Sequence, residues 1–217
     1  TLSRGTAGGA LSAAALMLLT AAAPAKPAPA RLSANVTANE IGAFVMGSPT
    51  AKVRLTEYFS YTCSHCAAFE KASATPLKLL YVDKGLVVGE FPNLVRNPLD
   101  LTAALLARCG GARAFPGNHH AIMAAQPTWL GKVTKMTEAQ RTPWYQGSPV
   151  ERAERIAADS GLTALMRARG HTPAAIKACL ASEVAAAEIT GMTNIGQNAD
   201  QVRATPELDI DLGPPVV

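Results

Sequence analysis

The apolar residues of the chain follow a strand pattern at the start, a helical pattern in the middle and a strand pattern again near the end. Short runs rich in β-branched and aromatic residues predict three strands, at 43–46, 53–59 and 86–91. A last strand is predicted where Leu208, Ile210 and Leu212 alternate with acidic residues, giving it one apolar and one acidic face. We expect ordered structure to begin near Ile41.

A helical pattern at 66–80 lies between the second and third predicted strands. Pro76 falls inside it and predicts a kink near Thr75, because proline lacks an N–H donor and clashes with the preceding turn. A strand, a helix and a second strand in this order predict parallel pairing through a right-handed crossover.

The middle of the chain, from 98 to about 190, is alanine-rich and has no convincing strand. Capping residues and apolar spacing predict helices at 98–109, 118–125, 150–159 and 162–168, and a fifth helix that begins at Thr172-Pro173. Residues 126–147, which include Trp129 and Trp144, are predicted to be a long connection packed on these helices. His119 and His120 are adjacent and so point in different directions on a helix, which makes them a poor metal pair and predicts a surface or rim role.

Composition indicates a folded protein, with 48% hydrophobic and 17% charged residues among 217. The net charge of +4 includes Arg4 and Lys26. Without these two the balance is 18 basic against 16 acidic groups, which gives no argument for a nucleic-acid partner. Arg4, an uncharged alanine- and leucine-rich run at 7–23, and Ala-x-Ala sites predict a signal peptide and linker over 1–30, and therefore export to the periplasm. An uncleaved membrane anchor is the alternative for this segment.

Candidate chemistry is concentrated in the ten residues EYFSYTCSHC, from Glu57 to Cys66. Cys63 and Cys66 fall at a predicted strand-to-helix junction. A sulfur at a helix N-terminus faces unpaired N–H groups and the positive end of the helix dipole, which favour the thiolate. Cys63 is therefore the candidate nucleophile and Cys66 the resolving cysteine, while His65 can add positive charge or a hydrogen bond that lowers the pKa of Cys63.

Two other interpretations of the cysteine pair are weighed against redox activity. A zinc site usually needs two such pairs or a nearby pair of cysteine and histidine, and neither Cys109 nor Cys179 has a partner at ligand spacing. A purely structural Cys63–Cys66 disulfide closes too small a loop to remove much chain entropy. The four cysteines are an even number, which suits an oxidising compartment.

Residues 57–66 resemble the E-F-F-S-x-x-C-P-H-C segment of DsbA-like thiol:disulfide oxidoreductases, which have a thioredoxin fold with a helical insertion. The matching features are Cys-x-His-Cys, Glu57 six residues before Cys63, and Thr205-Pro206 in the last part of the chain. The resemblance implies an α/β fold with a thioredoxin-like domain at 41–97 and 191–217 and an all-helical insertion at 98–190. The family continues with a strand and a helix beyond Leu212, so we expect the C-terminal helix of the fold to be missing from this sequence.

The resemblance also implies roles for particular residues. Pro206 is expected to be cis and to lie beside the cysteine pair, with Thr205, Pro206 and Ser64 binding an extended substrate. Glu57 is expected to be partly buried and to accept a proton from Cys66. The alternative for Glu57 is a solvated side chain on an edge strand.

Cys109 and Cys179 both lie on apolar helical faces, so both are expected to face the interior of the helical part. A buried pair in an exported protein is more often bridged than free, and some bacterial relatives of the family carry such a second bridge. A Cys109–Cys179 disulfide is therefore expected, with two inert core thiols as the alternative.

The expected function is that of an exported oxidoreductase that donates its Cys63–Cys66 disulfide to reduced secreted proteins, needs no other cofactor, and is reoxidised by a membrane partner implied by the resemblance alone. Ser64 replaces the usual proline and keeps open a reductase or isomerase. From a different class, Cys63, His65 and Cys66 could hold a soft ion such as Cu(I) in a periplasmic metal-binding module. The absence of a tract rich in Met or His argues against that module.

Overall fold

The computed structural model describes residues 1–2 and 31–213. The predicted signal peptide and linker at 1–30 therefore lie, apart from the first two residues, outside the described part of the chain. Within the described ranges, no helix is long and apolar enough to cross a membrane.

Five strands of the described chain form one mixed sheet: β1 (Val36–Ala38), β2 (Phe44–Met46), β3 (Val53–Tyr58), β4 (Val87–Phe91) and β5 (Glu207–Asp211). Their order across the sheet is β1-β2-β4-β3-β5. β3 and β4 pair in parallel, which confirms the predicted parallel pairing, and the other pairs are antiparallel.

Ordered structure begins before Ile41, so the expected starting point was wrong. A 3-10 turn at Leu32–Ala34 leads into β1, which pairs with β2. The Asn39 side chain closes the turn between them by accepting hydrogen bonds from the N–H groups of Ile41 and Ala43. β1 has only three residues, and its hydrogen bonds to β2 and this turn hold it in place. A strand this short shows no periodic apolar pattern in the sequence.

The helices of the described chain are α1 (Ser64–Pro76), α2 (Pro98–Ala107), α3 (Gly111–Ala124), α4 (Gln126–Thr134), α5 (Glu138–Arg141), α6 (Pro149–Ser160), α7 (Leu162–Ala168), α8 (Pro173–Leu180) and α9 (Glu183–Asn198). α1 ends at Pro76 and continues as a π-helical segment, Leu77–Val82. The change of hydrogen-bond pattern falls next to the predicted kink, because Pro76 cannot donate to the turn before it.

The long connection predicted at 126–147 was wrong, because most of it is helical. α4 begins with Pro127 in its first turn, where the missing N–H has no helical partner to lose, and Trp129 and Val133 bury one face four residues apart. α5 follows a capping box between Thr137 and Gln140. The predicted domain boundary at 190 falls inside α9.

The sheet and the helices share one continuous core. The rings of Phe44 in β2 and Phe115 in α3 stack with centroids 4.2 Å apart. α2 runs through the middle of the helical part and is buried along nearly its whole length. Just beyond α2, Cys109 is bonded through its sulfur to Cys179 of α8, with the two Cα atoms 5.5 Å apart. The bond ties the central helix to an outer one.

β5 lies at the edge of the sheet, beside β3. Its alternating pattern correctly predicted a strand. The side chains of Leu208 and Ile210 are nevertheless 43% and 59% exposed, so the apolar face is open to solvent in the described part of the chain.

Candidate active site

Cys63 and Cys66 lie at the start of α1, where the chain turns from the end of β3 into the helix. Cys63 is the N-cap residue, with an extended backbone, and Cys66 follows in the first turn. Both are free thiols and both are buried. The predicted strand-to-helix junction is therefore present, with the sulfur of Cys63 at the positive end of α1.

Hydrogen bonding favours the ionised form of Cys63. Burial raises the pKa of its thiol, but hydrogen bonds from the Thr205 side chain, from Cys66 and from the backbone N–H of His65 lower it further, so the pKa lies below its ordinary value. In the protonated form the Cys63 thiol donates a hydrogen bond to the carbonyl oxygen of Thr205 at 3.1 Å, and this contact opposes ionisation. Cys63 is thus prepared to act as a nucleophile and a leaving group.

The surroundings of Cys66 favour its protonated form instead. Burial, as the dominant effect, raises the pKa of its thiol to about 12, although the backbone N–H of Ser60 lies 3.5 Å from the sulfur and opposes the shift. At neutral pH Cys66 therefore keeps its proton until another group removes it.

Thr205 and Pro206 come to this site from the far end of the chain. The peptide bond between them is cis, and it precedes β5 directly. Ser64 and His65 are exposed on the first turn of α1. Among the described residues the His65 ring makes no hydrogen bond, so its contribution to the Cys63 thiolate here comes from its backbone N–H.

Glu57 is buried on β3, with 3% of its surface exposed, which excludes the solvated alternative. Burial, followed by the charge of Glu70, raises the pKa of Glu57 to about 8. Its Oε1 has no hydrogen-bond partner among the described residues. A proton passing between this carboxyl and Cys66 therefore needs a bridging water or a small side-chain movement.

Glu70 is a site residue that the sequence analysis missed. It lies four residues after Cys66 on α1 and is 9% exposed. Burial raises its pKa, but His119 and His120 lower it further, so the pKa lies below the ordinary value. The spacing of four from Cys66 was the available signal, since it places Glu70 on the same helical face.

The prediction of a surface or rim role was wrong for His119, which is 5% exposed. Its Nδ1 lies 3.0 Å from the hydroxyl of Tyr61, and its Nε2 lies 3.6 Å from Glu70. His120 is exposed, and its Nδ1 lies 2.9 Å from the other oxygen of Glu70. α3 packs on α1 so that one carboxylate reaches two neighbouring histidines.

A second group of missed residues fixes the loop before Cys63. Asp100, at the start of α2, accepts hydrogen bonds from the hydroxyl of Ser60 and the backbone N–H of Tyr61. From α4, the Nε2 of Gln126 donates to the carbonyls of Tyr61 and Cys63 at 2.7 and 2.8 Å. The helical part thus holds the backbone that presents the nucleophile.

Among the described residues, no three side chains of the types His, Cys, Asp and Glu are grouped closely enough to hold a metal ion. The arrangement of Cys63, Cys66 and Thr205 instead suits sulfur chemistry: one thiol favoured as thiolate, one held protonated, and a backbone carbonyl beside them.

Comparison with known proteins agrees with this geometry. The family model described as thioredoxin matches residues 39–212. The crystal structure of protein-disulfide isomerase from Novosphingobium aromaticivorans is 38% identical, with a TM-score of 0.73, and the match covers 77% of this chain and 85% of that one. Wolbachia pipientis alpha-DsbA1 shares the fold, with 22% identity, a TM-score of 0.59 and coverage of 83% and 81%. The expected α/β fold of the thioredoxin type with a helical insertion is confirmed.

Curated relatives are longer than this chain. A Rickettsia conorii protein with the provisional name protein-disulfide oxidoreductase is 27% identical over 77% of this chain and 52% of its own length. The chain spans about half the length of the curated relatives it matches.

Proposed function

This chain belongs to the thioredoxin family, and we propose that it is a DsbA-like thiol:disulfide oxidoreductase, an exported enzyme that introduces disulfides into secreted proteins. Cys63 and Cys66 supply the disulfide, and no separate cofactor takes part. The strongest support is the contrast between the two thiols: the pKa of Cys63 lies below its ordinary value, while burial raises that of Cys66 to about 12.

The reaction begins when a substrate thiolate attacks the sulfur of Cys63 in the oxidised protein. The Cys63–Cys66 bond breaks, Cys66 leaves with the electron pair and takes up a proton, and a mixed disulfide joins Cys63 to the substrate. A second substrate thiolate then attacks the substrate sulfur of that bond, and Cys63 leaves as a thiolate. The substrate loses two electrons and gains a disulfide, while the protein becomes the dithiol.

Stabilisation of the Cys63 thiolate gives this exchange its direction. The hydrogen bonds that lower the pKa of Cys63 stabilise its thiolate, a species that only the reduced protein contains, so they favour the dithiol and make the disulfide a stronger oxidant. His65 is proposed to contribute to this effect through its backbone N–H. Reoxidation by a membrane partner would complete the cycle, and the proposed location is the periplasm.

Thr205 and Pro206 are proposed to bind the substrate segment around its reacting cysteine, with Ser64 at the edge of the site. In the dithiol the Thr205 carbonyl accepts from the Cys63 thiol at 3.1 Å. In a mixed disulfide Cys63 has no proton to donate, so this carbonyl can accept from an extended substrate chain. Binding through backbone groups suits many different unfolded polypeptides, because it does not depend on particular side chains.

Glu57 is proposed to exchange a proton with Cys66. With a pKa of about 8 the Glu57 carboxyl is mostly protonated at neutral pH. Its ionised fraction is a stronger base than an ordinary carboxylate and can take the proton of Cys66 when that thiol must attack a mixed disulfide. The same acid returns the proton when Cys66 is the leaving group.

Oxidation of a reduced, unfolded protein by the stoichiometric disulfide form tests the proposal. We expect rapid transfer of the disulfide, loss of transfer in Cys63→Ser, and accumulation of a mixed disulfide on Cys63 in Cys66→Ser. Failure of the oxidised protein to oxidise any reduced polypeptide would contradict it.

Isomerisation is a second candidate, because the Novosphingobium relative is described as a protein-disulfide isomerase and Ser64 departs from the oxidase pattern. An isomerase must work from the dithiol form. Correction of a scrambled protein by the reduced enzyme, together with slow oxidation of a fully reduced one, would favour it.

A further inference from the structure

Two buried groups of the proposed reaction must exchange protons with water in every cycle. The exposed fraction of Cys66 is 0% and that of Glu57 is 3%. A proton that passes from one to the other must still reach solvent, since the next turnover needs Glu57 in its starting state. The proposed function therefore requires a route from Glu57 to the surface.

A cavity of about 450 Å³ supplies the space for such a route. Glu57, Glu70, His119 and His120 all line it. Exposed residues of the π-helical segment also line it, so it reaches the surface. Much of its lining is apolar, but the two carboxyls and the two imidazoles give water the polar partners it needs, and a cavity of this size has room for such water.

We propose that Glu70 and His120 carry protons between Glu57 and bulk water, with His119 holding Glu70 in position. The inference rests on the proposed role of Glu57 and names the groups through which that role is sustained. Glu70 and the histidines do not touch the sulfurs, so they act through Glu57.

The contacts give each group a place in the route. The two oxygens of Glu70 face the two histidines, 2.9 Å from Nδ1 of His120 and 3.6 Å from Nε2 of His119. The His120 side chain is 62% exposed, so its ring can exchange a proton with solvent directly. His119 is held by the hydroxyl of Tyr61 and keeps Glu70 in place from the buried side.

During reoxidation the proton leaves the thiol of Cys66 for the carboxylate of Glu57, passes through cavity water to the pair of Glu70 and His120, and leaves from the imidazole to bulk water. During substrate oxidation it travels in the opposite direction. No electron moves along this route. Arg31 and Lys78 are the other charged groups that line the cavity, and both are exposed cations on its outer side.

The test follows one step, the attack of Cys66 on a mixed disulfide between Cys63 and glutathione, observed by acid quench and mass spectrometry across pH. In His120→Gln we expect this step to slow by about tenfold at neutral pH, less than the hundredfold or more that a direct catalytic base contributes. Free imidazole, which fits the open cavity, should restore the rate in His120→Gln and leave the parent unchanged. His171→Gln, a substitution of the same type away from the cavity, is the matched control.

Glu70→Gln separates proton transfer from electrostatics. The charge of Glu70 helps to raise the pKa of Glu57, so its removal alone would ionise more Glu57 at neutral pH and speed the step. A relay predicts that the step slows instead. Acceleration in Glu70→Gln, or an unchanged rate in His120→Gln, would overturn the relay.

Glu57→Gln distinguishes the proposed role of Glu57 from the proton route through Glu70 and His120. If this variant matches the parent at every pH, the proposed role of Glu57 fails and the relay fails with it. If Glu57→Gln is slow while His120→Gln and Glu70→Gln are as fast as the parent, Glu57 keeps its role and only the relay is wrong.

Discussion

Replacing Glu57 with glutamine tests whether β3 carries a buried acid that holds its proton at neutral pH. Burial and the charge of Glu70 raise the pKa of Glu57 from 4.5 to about 8 in the folded protein. In the unfolded chain the carboxyl has its ordinary pKa. Between these two values the folded state binds a proton that the unfolded state has released, so the free energy of unfolding falls as the pH rises.

The magnitude follows from the two pKa values. The interval from 4.5 to about 8, at about 1.4 kcal/mol for each pH unit, gives a total loss of about 5 kcal/mol. The loss is absent below the lower value and complete above the higher one. Glu57→Gln preserves the shape of the side chain and removes its titration. The stability of the variant relative to the parent should therefore increase by about 5 kcal/mol from about pH 4 to about pH 9.

Urea denaturation of parent and variant, with Cys63 and Cys66 reduced, measures this difference at closely spaced pH values. Glu40→Gln, at an exposed position, is the matched control and should show no comparable change. A difference between Glu57→Gln and the parent that stays constant across the range would show that Glu57 titrates like an ordinary carboxyl. That result would contradict a raised pKa for the buried Glu57 carboxyl.

Two further predictions concern the framework around the site. Replacing Cys109 and Cys179 with alanine should lower the free energy of unfolding by about 4 kcal/mol, the chain-entropy value for a separation of 70 residues, and leave the thiol titration of Cys63 unchanged. Denaturation of both proteins measures the loss, and two free thiols at these positions in the parent, found by alkylation and intact mass, would contradict the bridge. Gln126→Leu removes both donors to the loop carbonyls and should cost about 2–4 kcal/mol and slow exchange at Cys63. A stability loss below about 0.5 kcal/mol would show that those carbonyls find other partners.

The sequence was sufficient for the elements whose signals are local. Hydrophobic runs identified β3 and β4, and the helical spacing between them gave α1 and the parallel crossover. The cysteine spacing placed Cys63 at the start of that helix. These features depend on residues close together in the chain, where periodicity and capping act directly.

The remaining features depend on packing between distant segments. His119 is buried because α3 lies against α1, and nothing near His119 in the sequence indicates that Glu70 will face it. Gln126 donates to a carbonyl of the active-site loop more than sixty residues away in the chain. It does so from α4, a helix in a segment that the sequence predicts to be a long connection. β1 has too few residues for a periodic signal. The sequence identified Cys63, Cys66 and Glu57. The structure added the residues that fix the active-site loop and those that line the cavity beside Glu57.

The most direct test of the proposed oxidase activity is the redox potential of the Cys63–Cys66 pair, measured together with the pKa of Cys63 from thiolate absorbance. We predict a Cys63 pKa below the ordinary thiol value and a potential on the oxidising side of about −200 mV. An ordinary pKa with a potential near about −270 mV, the value for thioredoxin, would contradict it.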